Sequence, residues 1–141
     1  LVIAAPIDSP ILSGAEPEQL EQPVMMVLLE EDNSISALGN MLVENNFSDL
    51  GGEAWLARIP DAGHWSVSDL CGLIDDFIPG CGEGIRQTSG APFSYVSAEA
   101  GRLTASALAA AFFSYTLRDN DPAAEWLLQP KTSTAVSVQH R

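Results

Sequence analysis

The sequence is poor in basic residues and in long hydrophobic runs. It has 6 Lys and Arg against 19 Asp and Glu, which gives a formal net charge of -13. Such a charge repels phosphate backbones and anionic lipid surfaces, so we expect no nucleic-acid partner. The longest apolar runs, at 24–29 and 105–113, are far shorter than the about 20 residues that a membrane span requires. The sequence therefore predicts no membrane span.

Cysteine and histidine are also scarce, with two residues of each type. The cysteines, Cys71 and Cys81, match no zinc-binding spacing, and we expect no metal and no organic cofactor. Two buried thiols in a cytosolic protein remain one alternative. The other is a disulfide between Cys71 and Cys81, which the turn at Pro79-Gly80 makes easy to close. We favour the disulfide, and with it a secreted or periplasmic protein.

The residues that are present suit one α/β domain. At 141 residues with 46% hydrophobic residues, the chain can form one modest core. An uninterrupted apolar run such as 24–29 is typical of a parallel strand that is covered on both faces. Apolar runs bounded by turn residues predict three strands, at 1–5, 24–29 and 54–59. Helical spacing of apolar residues predicts helices at 35–47, 95–117 and 121–128, and a partly helical segment at 67–78.

This order of elements predicts a parallel sheet with flanking helices over residues 1–130. The polar tail at 131–141 is expected to be frayed. Three strands leave a sheet edge without a partner, so we expect further strands from a preceding segment or from a second chain. The first residue is Leu1 and it already lies in a predicted strand, which also predicts a segment before it.

An acidic residue or a histidine follows each predicted strand: Asp8, Asp32 and His64. Parallel strands bring the loops at their carboxyl ends to one edge of the sheet, where open α/β sheets bind their ligands. A carboxylate beside a histidine fixes the tautomer of the imidazole and stabilises the imidazolium that forms when a serine is deprotonated. The order of acid before histidine is the order found in α/β-hydrolases.

The segments around these residues resemble the C-terminal half of an α/β-hydrolase. Pro23 begins an apolar strand that ends in the acidic loop Glu30-Glu31-Asp32-Asn33-Ser34-Ile35, and the next strand ends in Asp61-Ala62-Gly63-His64. This pattern is similar to that of dienelactone hydrolases and polyester hydrolases. Trp65 to Cys71 and Gly80-Cys81-Gly82 resemble a segment of bacterial relatives of platelet-activating-factor acetylhydrolase.

The resemblance implies that residues 1–130 are the C-terminal half of a serine-type carboxylic-ester hydrolase that acts on a small ester. His64 would be the catalytic histidine. The polyester-hydrolase pattern assigns the acid to Asp32, which we prefer, and the acetylhydrolase pattern assigns it to Asp8. Trp65 is a candidate for the substrate pocket, although a core or rim aromatic residue explains it equally well.

The chain departs from the pattern because it contains no G-x-S-x-G motif. The nucleophilic serine and the oxyanion donors would therefore come from the N-terminal half of the hydrolase, as an upstream segment or a partner chain, and this chain alone should be inert. The alternatives are a structural role for His64, a turn residue at Asp8, and a non-catalytic interaction or assembly subunit that keeps a hydrolase-like half-fold.

Overall fold

The computed structural model describes residues 1–7, 16–74, 77–78 and 80–141 as a mixed α/β fold. Its strands are β1 (Val2–Ile3), β2 (Val24–Leu29), β3 (Ala54–Ile59), β4 (Glu83–Ile85), β5 (Pro92–Ser94) and β6 (Ser137–His140). Its α-helices are α1 (Ser36–Asp49), α2 (Ala98–Arg118) and α3 (Asp121–Leu128). Short 3-10 turns lie at Pro17–Gln19 and His64–Val67.

The main sheet, within the described residues, has the strand order β1-β2-β3-β6. β1, β2 and β3 run parallel, and β2 and β3 are in register from Val24 opposite Ala54 to Leu29 opposite Ile59. β6 runs antiparallel to β3. The predicted parallel sheet with flanking helices is therefore found in this mostly parallel form, and β4 and β5 form a separate antiparallel hairpin.

The two faces of the sheet bury alternate residues of the central strands, because successive side chains of a strand point to opposite faces. One face packs against α2 and α3, and the other packs against α1. The face toward α2 and α3 buries Met25, Val27, Leu29, Trp55, Ala57, Ile59, Leu108, Phe112 and Leu127. The face toward α1 buries Met26, Leu28, Val43, Phe47, Leu50, Ala54 and Leu56. Both central strands are thus covered on both sides, as the continuous apolar sequence of β2 predicts, and β3 departs from this pattern only at Arg58.

The tail was predicted to be frayed, and this prediction is wrong. Residues 137–140 form β6, which pairs with β3 at the edge that a three-strand sheet would leave open. The backbone of Arg141 adds two further hydrogen bonds to Ala54, of 2.9 and 3.0 Å. Val136 and Val138 pack against the core cluster, so the polar tail contributes two apolar side chains to the core. Within the described residues, β1 pairs on one side, with β2.

The segment at 67–78 was predicted to be partly helical, and its described part instead forms turns after the 3-10 turn at His64–Val67. The predicted helix at 95–117 begins later, at Ala98, where the Ser97 side chain accepts a hydrogen bond from the Ala100 N–H and caps the helix. In the described part of the chain, no helix is long and apolar enough to cross a membrane.

Candidate functional site

The loops that follow β2 and β3 lie side by side at the carboxyl edge of the sheet. The register of these strands continues past their ends, because the Glu30 N–H donates to the Ile59 carbonyl at 3.2 Å and the Glu31 N–H donates to the Ala62 carbonyl at 3.0 Å. Asp32 and His64 follow directly. Their proximity is therefore a consequence of two parallel neighbouring strands of equal length.

Asp32 and His64 form a hydrogen-bonded pair. The distance from His64 Nδ1 to Asp32 Oδ2 is 2.9 Å, the Asp32 side chain is fully buried, and the His64 ring is 28% exposed. An ionised carboxylate only accepts hydrogen bonds, so Nδ1 of a neutral imidazole carries the proton and Nε2 keeps its lone pair. A histidine in this tautomer can accept a proton through Nε2, as a general base does.

Backbone groups hold the Asp32 carboxylate in place. Its Oδ1 accepts hydrogen bonds from the N–H groups of Ser34 at 3.0 Å and Ile35 at 3.2 Å, which leaves Oδ2 for the histidine. Both donors belong to the turn that leads into α1. These two N–H groups donate hydrogen bonds that compensate a buried carboxylate for its lost contact with water. The local sequence after β2 thus supplies both the acid and the groups that orient it.

The turn that carries His64 is fixed by a buried serine. The Gly63 N–H donates to Ser66 Oγ at 2.9 Å, and the Ser66 hydroxyl donates to the Gly80 carbonyl at 2.6 Å. Gly63 and Gly80 lie so close together that a Cβ on Gly63 would be 2.5 Å from the Gly80 Cα. On its other side the turn rests on α2, where a Cβ on Gly101 would collide with the Ser66 carbonyl oxygen.

A disulfide joins Cys71 to Cys81, as predicted, with their Cα atoms 5.8 Å apart. It closes the loop that delivers the Gly80 carbonyl to Ser66. Trp65, the predicted pocket residue, is half-buried, and its ring centroid lies 4.8 Å from that of His64 and 4.6 Å from that of Phe77. The indole thus separates the histidine from the disulfide loop.

Arg86 braces the two loops that carry Asp32 and His64. Its guanidinium binds Glu31 Oε1 at 3.0 Å and Asp61 Oδ1 at 2.6 Å, and it lies over the Phe93 ring. These hydrogen bonds, first to Asp61 and then to Glu31, raise the pKa of Arg86 above its usual value. The N–H of Gln87 donates to the second oxygen of Glu31 at 3.0 Å. The β4–β5 hairpin is thereby fastened to both strand ends.

Tyr95 adds a second link to the acid loop. Its hydroxyl lies 2.6 Å from Asn33 Nδ2, which donates to it. Burial raises the pKa of the Tyr95 phenol above its usual value of 10.0, and the Asn33 hydrogen bond acts in the opposite direction. The neutral phenol is the form that suits this buried position.

Sequence reasoning identified Asp32, His64 and the disulfide, and it missed Arg86, Ser66 and Tyr95. Arg86 offered a signal, because it is one of only six basic residues in a chain with 19 acidic ones. The alternative acid Asp8 lies outside the described residues. Among the residues that the structure describes, no cluster of three or more His, Cys, Asp or Glu side chains could hold a metal ion.

The described residues thus form an acid–histidine pair with a buried, hydrogen-bonded acid and a partly exposed ring. None of the described serine hydroxyls is hydrogen-bonded to His64, since Ser66 Oγ is directed to Gly80. Comparisons of the chain with protein-family models, with curated proteins and with solved structures found no match.

Proposed function

We propose that this chain is the acid-and-histidine half of a serine-type carboxylic-ester hydrolase of the α/β-hydrolase kind. The observation that supports this most is the 2.9 Å hydrogen bond between His64 Nδ1 and the fully buried Asp32. A purely structural histidine has no need of a buried carboxylate with two backbone donors at the edge where parallel sheets bind ligands. The nucleophilic serine would come from an upstream segment or from a partner chain.

In this proposal His64 moves the protons of both half-reactions. Its Nε2 takes the proton of the serine hydroxyl as the oxygen attacks the ester carbonyl, and it then returns that proton to the departing alcohol oxygen. In the second half-reaction it takes a proton from water, which attacks the acyl-enzyme, and returns that proton to the serine. Asp32 stabilises the imidazolium in both steps without being protonated.

Arg86 and Ser66 would act through other residues. Arg86 joins Glu31, the neighbour of Asp32, to Asp61, which lies three residues before His64. Ser66 fixes the turn of His64 against Gly80. A shift of about 1 Å in either loop would break the acid–histidine geometry, and such a shift can lower a rate about 100-fold. We assign both residues a positioning role.

The test is reconstitution of activity. The chain alone, and the chain joined to or co-expressed with the segment that supplies the serine, are assayed with p-nitrophenyl acetate and with a fluorophosphonate that labels activated serines. We expect hydrolysis and labelling only in the complete protein. Absence of both in the complete protein would contradict the esterase and favour the alternative, a non-catalytic interaction or assembly subunit. Labelling that persists without His64 would exclude the proposed base.

The proposal includes an oxidising compartment, either the extracellular space or the periplasm. Its support is the disulfide between Cys71 and Cys81, since such bonds persist mainly outside the cytosol. Thiol titration of the protein isolated from its native compartment, under denaturing and alkylating conditions, should find no free thiol. Two free thiols would contradict this localisation.

A further inference from the structure

The segment 70–81 contains the loop that the disulfide closes, and four of its described residues have exposed aliphatic side chains. Leu73 is 66% exposed, Ile74 53%, Ile78 49% and Leu70 39%. Single exposed aliphatic residues are common on protein surfaces, but four in one short segment form a patch. Such patches in stable proteins are usually sites of contact with a ligand or a partner. We call these four side chains the loop patch.

The described residues of this loop, 70–74, 77–78 and 80–81, make backbone hydrogen bonds with one another. The Gly72 N–H donates to the Phe77 carbonyl at 3.0 Å, and the Phe77 N–H donates to the Ile74 carbonyl at 2.9 Å. The Cys81 N–H donates to the Ile78 carbonyl at 2.9 Å, next to the disulfide. These bonds fix the backbone on either side of the exposed side chains of Ile74 and Ile78.

A series of aromatic rings leads from the acid–histidine pair to the segment that carries the loop patch. The rings of His64, Trp65 and Phe77 contact one another in series, with centroid separations of 4.8 and 4.6 Å. Phe77 is followed directly by Ile78 of the patch. An apolar group that extends from a carbonyl carbon at His64 along these rings would reach the segment of Phe77 and Ile78.

We propose that the loop patch binds the apolar part of the ester, so that the substrates are esters with a long, uncharged aliphatic or aromatic acyl group. This inference rests on the proposed esterase function. An anionic membrane surface fits less well, because Asp75 and Asp76 stand in the same loop sequence and the chain has a net charge of -13. A neutral apolar ester carries no such repulsion.

The test replaces the patch in the complete protein and compares two substrates. The variant is Leu73→Ser/Ile74→Ser/Ile78→Ser, and the measurement is kcat/KM for p-nitrophenyl octanoate and for p-nitrophenyl acetate. Because even one methylene in an apolar site changes kcat/KM about tenfold, we expect the octanoate-to-acetate ratio to fall about tenfold or more. The wild-type protein should prefer octanoate.

The matched control also carries three changes of an exposed aliphatic residue to serine, at leucines of α1, α2 and α3: Leu38→Ser/Leu117→Ser/Leu128→Ser. Its octanoate-to-acetate ratio should stay within about twofold of the wild-type ratio. A wild-type preference for acetate, or an equal loss on both substrates in the loop variant, overturns the proposal. So does failure of the loop variant to associate with the serine-bearing segment, since the patch would then be an assembly surface.

A binding assay separates this inference from the esterase itself. The fluorescent apolar probe N-phenyl-1-naphthylamine is titrated with wild-type protein, the loop variant and the control variant. Of the three proteins, we expect only the loop variant to bind the probe more weakly than the wild type, by about tenfold. Loop-dependent binding without any ester hydrolysis would overturn the esterase and leave an apolar ligand site. Equal binding by all three proteins would overturn the site whether or not the protein hydrolyses esters.

Discussion

The two histidines of the chain lie at opposite ends of β3, and each is hydrogen-bonded to a carboxylate at 2.9 Å. His64 follows the carboxyl end of the strand and binds Asp32 through Nδ1. His140 lies in β6 opposite Trp55, near the amino end of β3, and binds Glu53 through Nε2. Distance alone therefore does not distinguish a candidate catalytic pair from a structural one.

What differs is the surroundings of each carboxylate. Asp32 is fully buried, and its oxygens are divided between one histidine and two backbone N–H groups. Glu53 is 27% exposed, and its Oε1 is shared by His140, the Trp55 indole N–H and the Tyr115 hydroxyl. The His140 ring also stacks on Trp55 at 3.9 Å. The Glu53 carboxylate joins β6 to residues of β3 and α2, whereas Asp32 binds one histidine whose side chain is 28% exposed.

The largest expected effect distinguishes the two histidines by activity. His64→Ala in the complete protein should lower kcat/KM for ester hydrolysis about 10⁵-fold, because it removes the group that moves the proton. His140→Ala, measured in the same assay, should change it about twofold at most. Equal losses in the two variants, or full activity without His64, would contradict the assignment.

The next effect distinguishes the two carboxylates. Asp32→Asn should lower kcat about 10⁴-fold, because an asparagine amide can donate to Nδ1 and hold the imidazole in the wrong tautomer. Glu53→Gln should leave kcat within about twofold and lower only the thermal stability. If the Asp32 change acted through misfolding, its unfolding temperature would fall as well, so differential scanning calorimetry of both variants is the control.

The acid–histidine pair was predictable because it follows from the local sequence of two strands. The strand 24–29 is a continuous apolar run and the strand 54–59 is apolar except for Arg58, and their bounds were predicted as the structure has them. Once two such strands are parallel neighbours, the residues that follow them must meet. Asp32 and His64 could therefore be named from strand ends and residue type alone.

The strand β6, which carries His140, was not predictable, because its pairing depends on residues far away in the sequence. β6 has four residues, of which Ser137, Gln139 and His140 are polar, so it lacks the apolar run that marked the central strands. Its pairing with β3 joins residues 79 to 85 positions apart, from Arg58 opposite Ser137 to Trp55 opposite His140. The brace from Arg86 to Glu31 spans 55 positions. Contacts of this range leave no local pattern in a single sequence.

A smaller effect is expected from the disulfide, which braces the His64 end alone. Cys71→Ala/Cys81→Ala should lower the free energy of unfolding by about 2 to 3 kcal/mol, from the larger entropy of the unfolded chain. Native-state hydrogen exchange should show a greater loss of protection at the Ser66 amide than at the amide of Gln139, which pairs with Leu56 across β3 and β6. A reductant should have the same effect on wild-type protein and none on the double variant. Equal loss of protection at both amides would mean that the disulfide does not brace the His64 turn specifically.

The smallest expected effect concerns the pKa values of the two tyrosines, of which Tyr95 lies near Asp32 and Tyr115 near Glu53. The Glu53 carboxylate accepts a hydrogen bond from Tyr115 and raises the pKa of that phenol, because the phenolate would lose the bond and face a negative charge. Burial is the main cause of the raised pKa of Tyr95. Both raised pKa values favour the folded state below pH about 10, and this stabilisation is lost as the pH rises through the folded pKa values.

Glu53→Gln should therefore lower the pKa of Tyr115 toward its usual value and leave that of Tyr95 unchanged. The amide can still accept the hydrogen bond from the neutral phenol, but it carries no charge to oppose ionisation. Absorbance at about 295 nm follows phenolate formation between about pH 9 and 12, and Tyr115→Phe assigns the two transitions. The Tyr115→Phe variant keeps only the transition of Tyr95. If Glu53→Gln shifts this transition, the two ends of β3 are electrostatically coupled. The separation of the structural pair from the candidate catalytic pair would then not hold.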